Sequence, residues 1–276
     1  MIPGAERVWK QHWKLTRDPF LCGDAPYVPL ASHEEAVARL VHTIEAGQRL
    51  AIVRAPAGLG KSRVLARALA EVRSPSRRVA PLSSPSDGAG LLAGLAQRLG
   101  IRVPAGSGRS TAWRALGDAV RLCRWQRLQV VLAVDDCQVL VDATDRLDLE
   151  RLVHLDPHPE ARLTVVQVFR TPADGEPAPA TPWELVIRLP ALTRSEAERY
   201  LAAKLAAVGR DEPTFTPRAL SRLHQRSEGI PRGLDRLASL ALMAGASRGL
   251  EIITPDVVDG VAQECTPSPS DLWECS

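Results

Sequence analysis

Lysine is nearly missing from this 276-residue chain: only Lys10, Lys14, Lys61 and Lys204 stand among its 35 basic residues, so arginine carries almost all the positive charge. Net charge is only +3, which by itself demands neither nucleic acid nor a membrane surface. Long apolar runs are also missing. No stretch of about 20 apolar residues occurs, and the start of the chain has no apolar export core, so neither a spanning helix nor an exported product is expected. The expected location is the cytoplasm. Five cysteines (Cys22, Cys123, Cys137, Cys265, Cys275) show neither CxxC nor Cys/His spacing, which argues against a structural zinc site and for reduced thiols. What remains is an ordinary globular composition, 45% apolar, long enough for one large domain or two smaller ones.

Against that background one segment carries chemistry. Residues 55–62 read Ala55-Pro56-Ala57-Gly58-Leu59-Gly60-Lys61-Ser62, between the apolar run Leu50–Val53 and the helix-favouring Arg63–Ala70. Strand, glycine loop, helix is the layout of a triphosphate site. Glycines let backbone N–H groups turn inward around phosphate oxygens, and the new helix adds its positive end. Lys61 would reach the β- and γ-phosphates, Ser62 would ligate Mg²⁺, and Arg63 would open the helix beside them. Ala55 stands where a first glycine is usual, which is tolerable if its φ is negative. The expected cofactors are ATP and Mg²⁺.

Further strands are expected near 78–82, at Val130–Val134, Leu163–Val168 and Leu185–Leu189. Helices are expected over about 61–73, 90–99 and 110–126, and alternation of the two types implies a parallel sheet covered on both faces. Ser32 to Glu35 offers a capping box for a helix bearing Ala36, Leu40, Val41 and Ile44. Prolines make 171–183 a loop, and residues 83–90 a turn. Beyond Pro190 the pattern is purely helical, over about 194–208, 217–227, 231–246 and 255–264, with Thr193 and Thr216 as caps. The expected domains are an irregular arm at 1–31, an α/β nucleotide-binding body at 32–191, a helical lid at 192–265 and a frayed tail at 266–276. The arm holds Trp9, Trp13, Phe20 and Tyr27, and is expected to pack on the adenine-facing edge, the sheet or a core.

Val130–Val134 runs into Asp135-Asp136-Cys137-Gln138, at the strand edge where ligands of parallel sheets collect. In isolation the two acids would read as a helix cap. Downstream of a phosphate loop, Asp135 reads as the group that holds Mg²⁺ through water, and Asp136 as the base that polarises the attacking water.

Ala55–Ser62, Val130–Gln138 and Gly229-Ile230-Pro231-Arg232 together resemble the AAA+ ATPases: a doubly wound parallel P-loop sheet with a C-terminal helical lid. The segment His12–Phe20, ending in Pro19-Phe20, is similar to the start of the general secretion pathway protein A group, which also includes transposition-helper ATPases; Lys14 replaces that group's usual glycine. The resemblance implies phosphate and Mg²⁺ roles for Lys61 and Ser62, an Mg²⁺ role for Asp135, and contact of Arg232 with the γ-phosphate. Asp136 takes the place of the usual glutamate. Sensor 1 would fall on Arg170 or Thr171. A homo-oligomer, with an arginine finger from a neighbouring subunit, is also implied; the protein partner is not indicated.

Three functions follow. The first is a switch driven by ATP binding and hydrolysis that assembles an envelope complex. The second is a DNA-linked helper in transposition or replication, with Arg210, Arg218, Arg222, Arg226, Arg232 and Arg236, and Arg73, Arg77 and Arg78, offered to duplex DNA. The acids Asp211, Glu212, Glu228 and Asp235 among them favour solvated faces instead. The third is a nucleotide-dependent interaction module that does not hydrolyse ATP.

Overall fold

Five short runs rich in Val, Ile, Leu and Ala form one sheet, because β-branched residues suit a pleated surface buried on both sides. In the computed structural model, which describes residues 5–21, 27–83, 90–104, 106–140, 142–171 and 185–265, these are β1 (Leu50–Ala55), β2 (Arg77–Leu82), β3 (Gln129–Val134), β4 (Leu163–Arg170) and β5 (Leu185–Arg188). All pairings are parallel, in the order β2-β3-β4-β1-β5. Ten α-helices are described: α1 (Ala5–His12), α2 (Ala31–Glu45), α3 (Lys61–Glu71), α4 (Gly90–Arg98), α5 (Arg109–Trp125), α6 (Ala143–Arg151), α7 (Arg194–Ala206), α8 (Pro217–Ser227), α9 (Pro231–Ser247) and α10 (Pro255–Glu264). The expectations for residues 172–183, most of the turn at 83–90 and the tail at 266–276 lie outside the described residues.

The chain divides into two compact units. One is formed by His33–Pro56 and Lys61–Leu189 and contains the sheet. Every residue of β3 is buried. Val130, Leu132 and Val134 share a core with Leu91 and Leu95 of α4, Leu116 and Val120 of α5, and Leu149 of α6. Full burial of one such side chain stabilises by about 1.5–3 kcal/mol, so this strand alone anchors the sheet strongly. The buried Gln129 is satisfied on all sides, accepting from Arg77 Nε (2.8 Å) and donating to the Ile44 carbonyl and to Thr164 Oγ1. Helix α6 has no counterpart in the sequence expectations. Its only large apolar residues are Leu147 and Leu149, and Leu147 is exposed.

The other unit gathers Met1–Ser32, Ala57–Gly60 and Pro190–Ser276. The arm expected to be irregular is in part the helix α1. Trp9, Trp13 and Phe20 join Tyr200, Leu201, Leu223, Leu234 and Leu242 in one helical core, and the Trp13 indole donates to the Leu242 carbonyl at 2.8 Å. Helix α1 closes with Lys14 at φ 55°, the Lys14 amide on the Gln11 carbonyl and the Leu15 amide on the Lys10 carbonyl. That left-handed turn favours glycine, which accounts for the glycine that the resemblance leads one to expect there.

The capping box at Ser32 is not formed. Helix α2 starts at Ala31, one residue earlier, and the Ser32 amide and hydroxyl both donate to Glu196 Oε1 (3.4 and 3.3 Å). Glu196 instead completes the capping box of α7 with Thr193, and Thr216 caps α8 as expected. Proline at the first turn of α8, α9 and α10 costs no hydrogen bond, since that N–H has no helical partner.

Candidate functional site

Register brings the chemistry to one edge of the sheet. Ala55 pairs with Arg170, so β1 and β4 end level, and Val134 pairs with Gln167, so β3 ends three residues earlier on the same side. The Thr171 amide continues the ladder to the Ala55 carbonyl at 3.1 Å. Two turns leave this edge: the glycine loop after β1 and the acid pair after β3.

In the loop, Gly58 and Gly60 have φ of +79° and +86°, while Ala55, the last residue of β1, is not among the residues of positive φ. The missing first glycine is therefore not required by the backbone. Among the described residues, nothing accepts from the amides of Gly58 and Gly60. Leu59 is buried between them, and Pro56, Ala57 and Arg63 are wholly or partly exposed. Lys61 opens α3 with only 7% of its surface exposed, and its Nζ donates to the carbonyls of Ala55 (3.0 Å) and Pro56 (2.9 Å).

At the second turn, Asp135 is 6% exposed. Burial pushes its carboxyl above the ordinary carboxylate range; a hydrogen bond from Ser62 pulls it down, the Asp136 charge pushes it up, and the Lys61 ammonium pulls it down. Lys61 and Ser62 therefore both act on Asp135. These groups suit a magnesium triphosphate: a shielded ammonium for phosphate oxygens, and a hydroxyl beside a carboxylate for a hard cation. Asp136 sits at φ 50°, ψ 44°, a left-handed conformation that an aspartate tolerates better than most residues. Its Oδ1 accepts from Gln138 Nε2 at 2.8 Å, and Gln138 Oε1 accepts from the Arg170 amide at 2.9 Å. Gln138 thus ties the second acid to the end of β4. Sequence reasoning quoted Gln138 but assigned it no part; its place two residues after the acid pair was the available signal. Burial pushes the thiol of the neighbouring Cys137 up to about 12.

Arg232 lies in the first turn of α9. Within its own unit the Arg232 amide donates to the Gly58 carbonyl at 3.3 Å. A Cβ added to Gly58 would meet both Arg232 Cβ and Ile230 Cγ2 at 2.9 Å, so the backbone of the loop and the start of α9 fit closely. Gly229, at φ +70°, is equally constrained, because a Cβ there would run into the Leu192 carbonyl.

The arginines considered for duplex DNA do not form one stripe of like charge. Arg222 and Arg226 share Asp259, and Arg210 pairs with Glu212 at 2.9 Å. No described helix is long and apolar enough to cross a membrane.

Residues 44–172 match the family described as an AAA domain. General secretion pathway protein A of Aeromonas hydrophila is 25% identical over 275 residues, covering 94% of this chain and 50% of that protein, so the chain spans about half the length of this relative. Among solved structures, Cdc6p from Pyrobaculum aerophilum aligns with a TM-score of 0.69 at 18% identity, covering 94% of this chain and 74% of that one. The Drosophila ORC, in a structure bound to DNA, aligns with a TM-score of 0.67 at 15% identity, covering all of this chain and 71% of that one. The fold is that of a P-loop AAA+ ATPase, a parallel five-stranded sheet with a helical C-terminal region.

Proposed function

We propose that this AAA+ chain binds ATP with Mg²⁺, hydrolyses it, and uses the cycle to drive a conformational or assembly switch. The observation that carries the reading is the convergence of a shielded ammonium (Lys61), a hydroxyl (Ser62) and a buried carboxylate (Asp135) at one end of the sheet. Lys61 would leave its two loop carbonyls for phosphate oxygens, a favourable exchange because a phosphate oxygen carries more charge than a carbonyl. Ser62 and Asp135 would hold the cation, which when bound neutralises charge developing on the phosphate oxygens. Asp136 would accept a proton from the attacking water at the carboxylate that Gln138 orients. Arg232 would answer to the γ-phosphate, and α9, on which it stands, would carry that response through the helices packed around it. The likeness to General secretion pathway protein A supports a partner in a secretion pathway.

A second reading, a nucleotide-dependent module without turnover, is favoured by one observation: the Asp136 carboxylate is engaged by Gln138, and aspartate is shorter than glutamate. Phosphate release from the full chain separates the two. Asp136→Asn should lower the rate roughly 10²-fold, the lower range for a lost general base, and Lys61→Ala at least as much. Equal background rates in all three proteins would end the enzyme reading. A DNA-linked switch predicts a salt-sensitive mobility shift of random duplex in the presence of ATP; no shift removes it.

A further inference from the structure

We infer that His224 is a positioning residue for the phosphate loop: by holding the Leu192 carbonyl it locks the left-handed turn at Glu228–Gly229, and that turn sets the Arg232 amide on the Gly58 carbonyl. The inference rests on the reading of residues 55–62 as the seat of the nucleotide's phosphates.

Only Glu228, Gly229 and Ile230 separate α8 from α9. Two of them are left-handed in succession, Glu228 at φ 55° and Gly229 at φ +70°. Glycine adopts that conformation freely, but a glutamate does so only where its surroundings insist, and backbone of this kind collects at sites that must hold one geometry. The turn closes on α8 through the Gly229 amide on the His224 carbonyl (3.1 Å) and the Ile230 amide on the Ser227 carbonyl (2.9 Å). It closes on a second segment through the Leu192 amide, which donates to the Gly229 carbonyl at 2.9 Å. His224 completes the clasp. Its Nε2 lies 2.8 Å from the Leu192 carbonyl, and since a carbonyl only accepts, Nε2 carries the proton. Leu192 is itself a fixed point, 2% exposed and directly before Thr193, the cap of α7. An apolar side chain at position 224 would fill the same space, but it would withdraw the donor from a carbonyl in a buried residue.

Arg232 follows directly, as the second residue of α9, and its amide meets the Gly58 carbonyl at 3.3 Å. A trans peptide is planar, so a held Gly58 carbonyl also fixes the direction of the Leu59 N–H, a backbone donor of the loop. The path from His224 to the loop therefore runs through Leu192, Gly229 and the Arg232 amide. It needs nothing from the Arg232 side chain. His224 thus acts on bound phosphate without touching it.

The test titrates the full chain with fluorescent ATP and ADP analogues in the presence of Mg²⁺, well below the unfolding temperature. The backbone of the loop serves phosphates that both nucleotides share, so His224→Ala should weaken both by roughly five-fold, the lower range of site-to-site coupling, and leave their ratio unchanged. His224→Gln, whose amide nitrogen reaches the place of Nε2 and donates there, should stay within about two-fold of wild type. His224→Asn, one methylene shorter, should behave as His224→Ala. Val208→Ala, a buried change beyond the far end of α7, controls for lost stability and should leave both affinities alone. Without nucleotide, amide hydrogen exchange over residues 229–233 should accelerate in His224→Ala and stay near wild type in His224→Gln. Should His224→Ala not fold, the contrast between His224→Asn and His224→Gln carries the test. Wild-type affinities in His224→Ala or His224→Asn would overturn the inference. So would a loss confined to ATP, which would route the effect through the Arg232 side chain instead of the loop. If Lys61→Ala binds both nucleotides as tightly as wild type, the reading of the loop fails and takes the inference with it; a loss in Lys61→Ala with none in the His224 variants sinks the inference alone.

Discussion

Gly58→Ala is the substitution for which the geometry makes the sharpest demand. An L-residue other than glycine pays about 1–2 kcal/mol to hold the left-handed conformation that Gly58 adopts at φ +79°. The added methyl would also sit 2.9 Å from both Arg232 Cβ and Ile230 Cγ2, neither of which is the yielding end of a long side chain. Overpacking of one methyl typically costs about 1–3 kcal/mol. Alanine restricts the unfolded chain and returns about 0.4–1 kcal/mol, which leaves a net loss of about 1–4 kcal/mol. Gly47→Ala is the control: its φ is +67°, yet nothing lies within 4 Å of the added carbon. Only the conformational penalty acts there, so its loss should be about 1 kcal/mol or less. Urea unfolding followed by tryptophan fluorescence suits the comparison, since Trp9 and Trp13 are buried in the unit that holds Gly58. The Gly58 variant should also lose ATP affinity at least ten-fold, equivalent to about 1.4 kcal/mol, whereas the Gly47 variant should keep it. Equal midpoints for the two variants would refute the described fit of the loop against the first turn of α9.

Two further outcomes are expected. Lys14→Gly should raise stability by about 0.5 kcal/mol in thermal or urea unfolding, relief of the left-handed turn after α1 being partly offset by a more flexible unfolded chain. For Glu196, burial pushes the carboxyl up, but hydrogen bonds from the Thr193 and Ser32 amides and hydroxyls outweigh it, so the folded group lies below its ordinary value of 4.5. A depressed carboxylate stabilises the fold above that value and ceases to do so as pH falls through the folded one. Glu196→Gln should therefore cost about 0.5–1 kcal/mol at pH 7, and the gap to wild type should close in acid unfolding series below pH 4.5.

Elements whose burial follows from chain-local pattern were legible in the sequence. The run Val130–Val134 reads as a central strand because every residue in it is apolar, and Asp135 follows at the edge where such strands end. The glycine loop reads from its spacing, and even Ala55 is accommodated as the sequence argument required. Long-range partners were not legible. Trp13 and Phe20 announce burial, but nothing in their neighbourhood says that the covering surface comes from residues 192–261 rather than from the sheet. Ser32 has the chemistry of a cap, yet Glu196, 164 positions away, takes its donors. Helix α1 was missed because its apolar positions Ala5, Val8 and Trp9 span too short a segment to stand out from a loop, and Gln138 because its work depends on where β4 ends relative to β3.

One unit is assembled from residues up to 32, Ala57–Gly60 and residues from 190 on, far apart in the sequence, and this bears on biosynthesis. A nascent polypeptide presents Trp9, Trp13 and Phe20 to the cell before residues 192–261, which cover them, have been translated. During that interval, about 10–50 s at ordinary elongation speeds, the aromatics remain sticky surface. A product truncated near residue 190 would therefore lose more than its C-terminal helices. It would leave the ribosome with Trp9, Trp13 and Phe20 uncovered, and aggregation or chaperone capture is its expected fate.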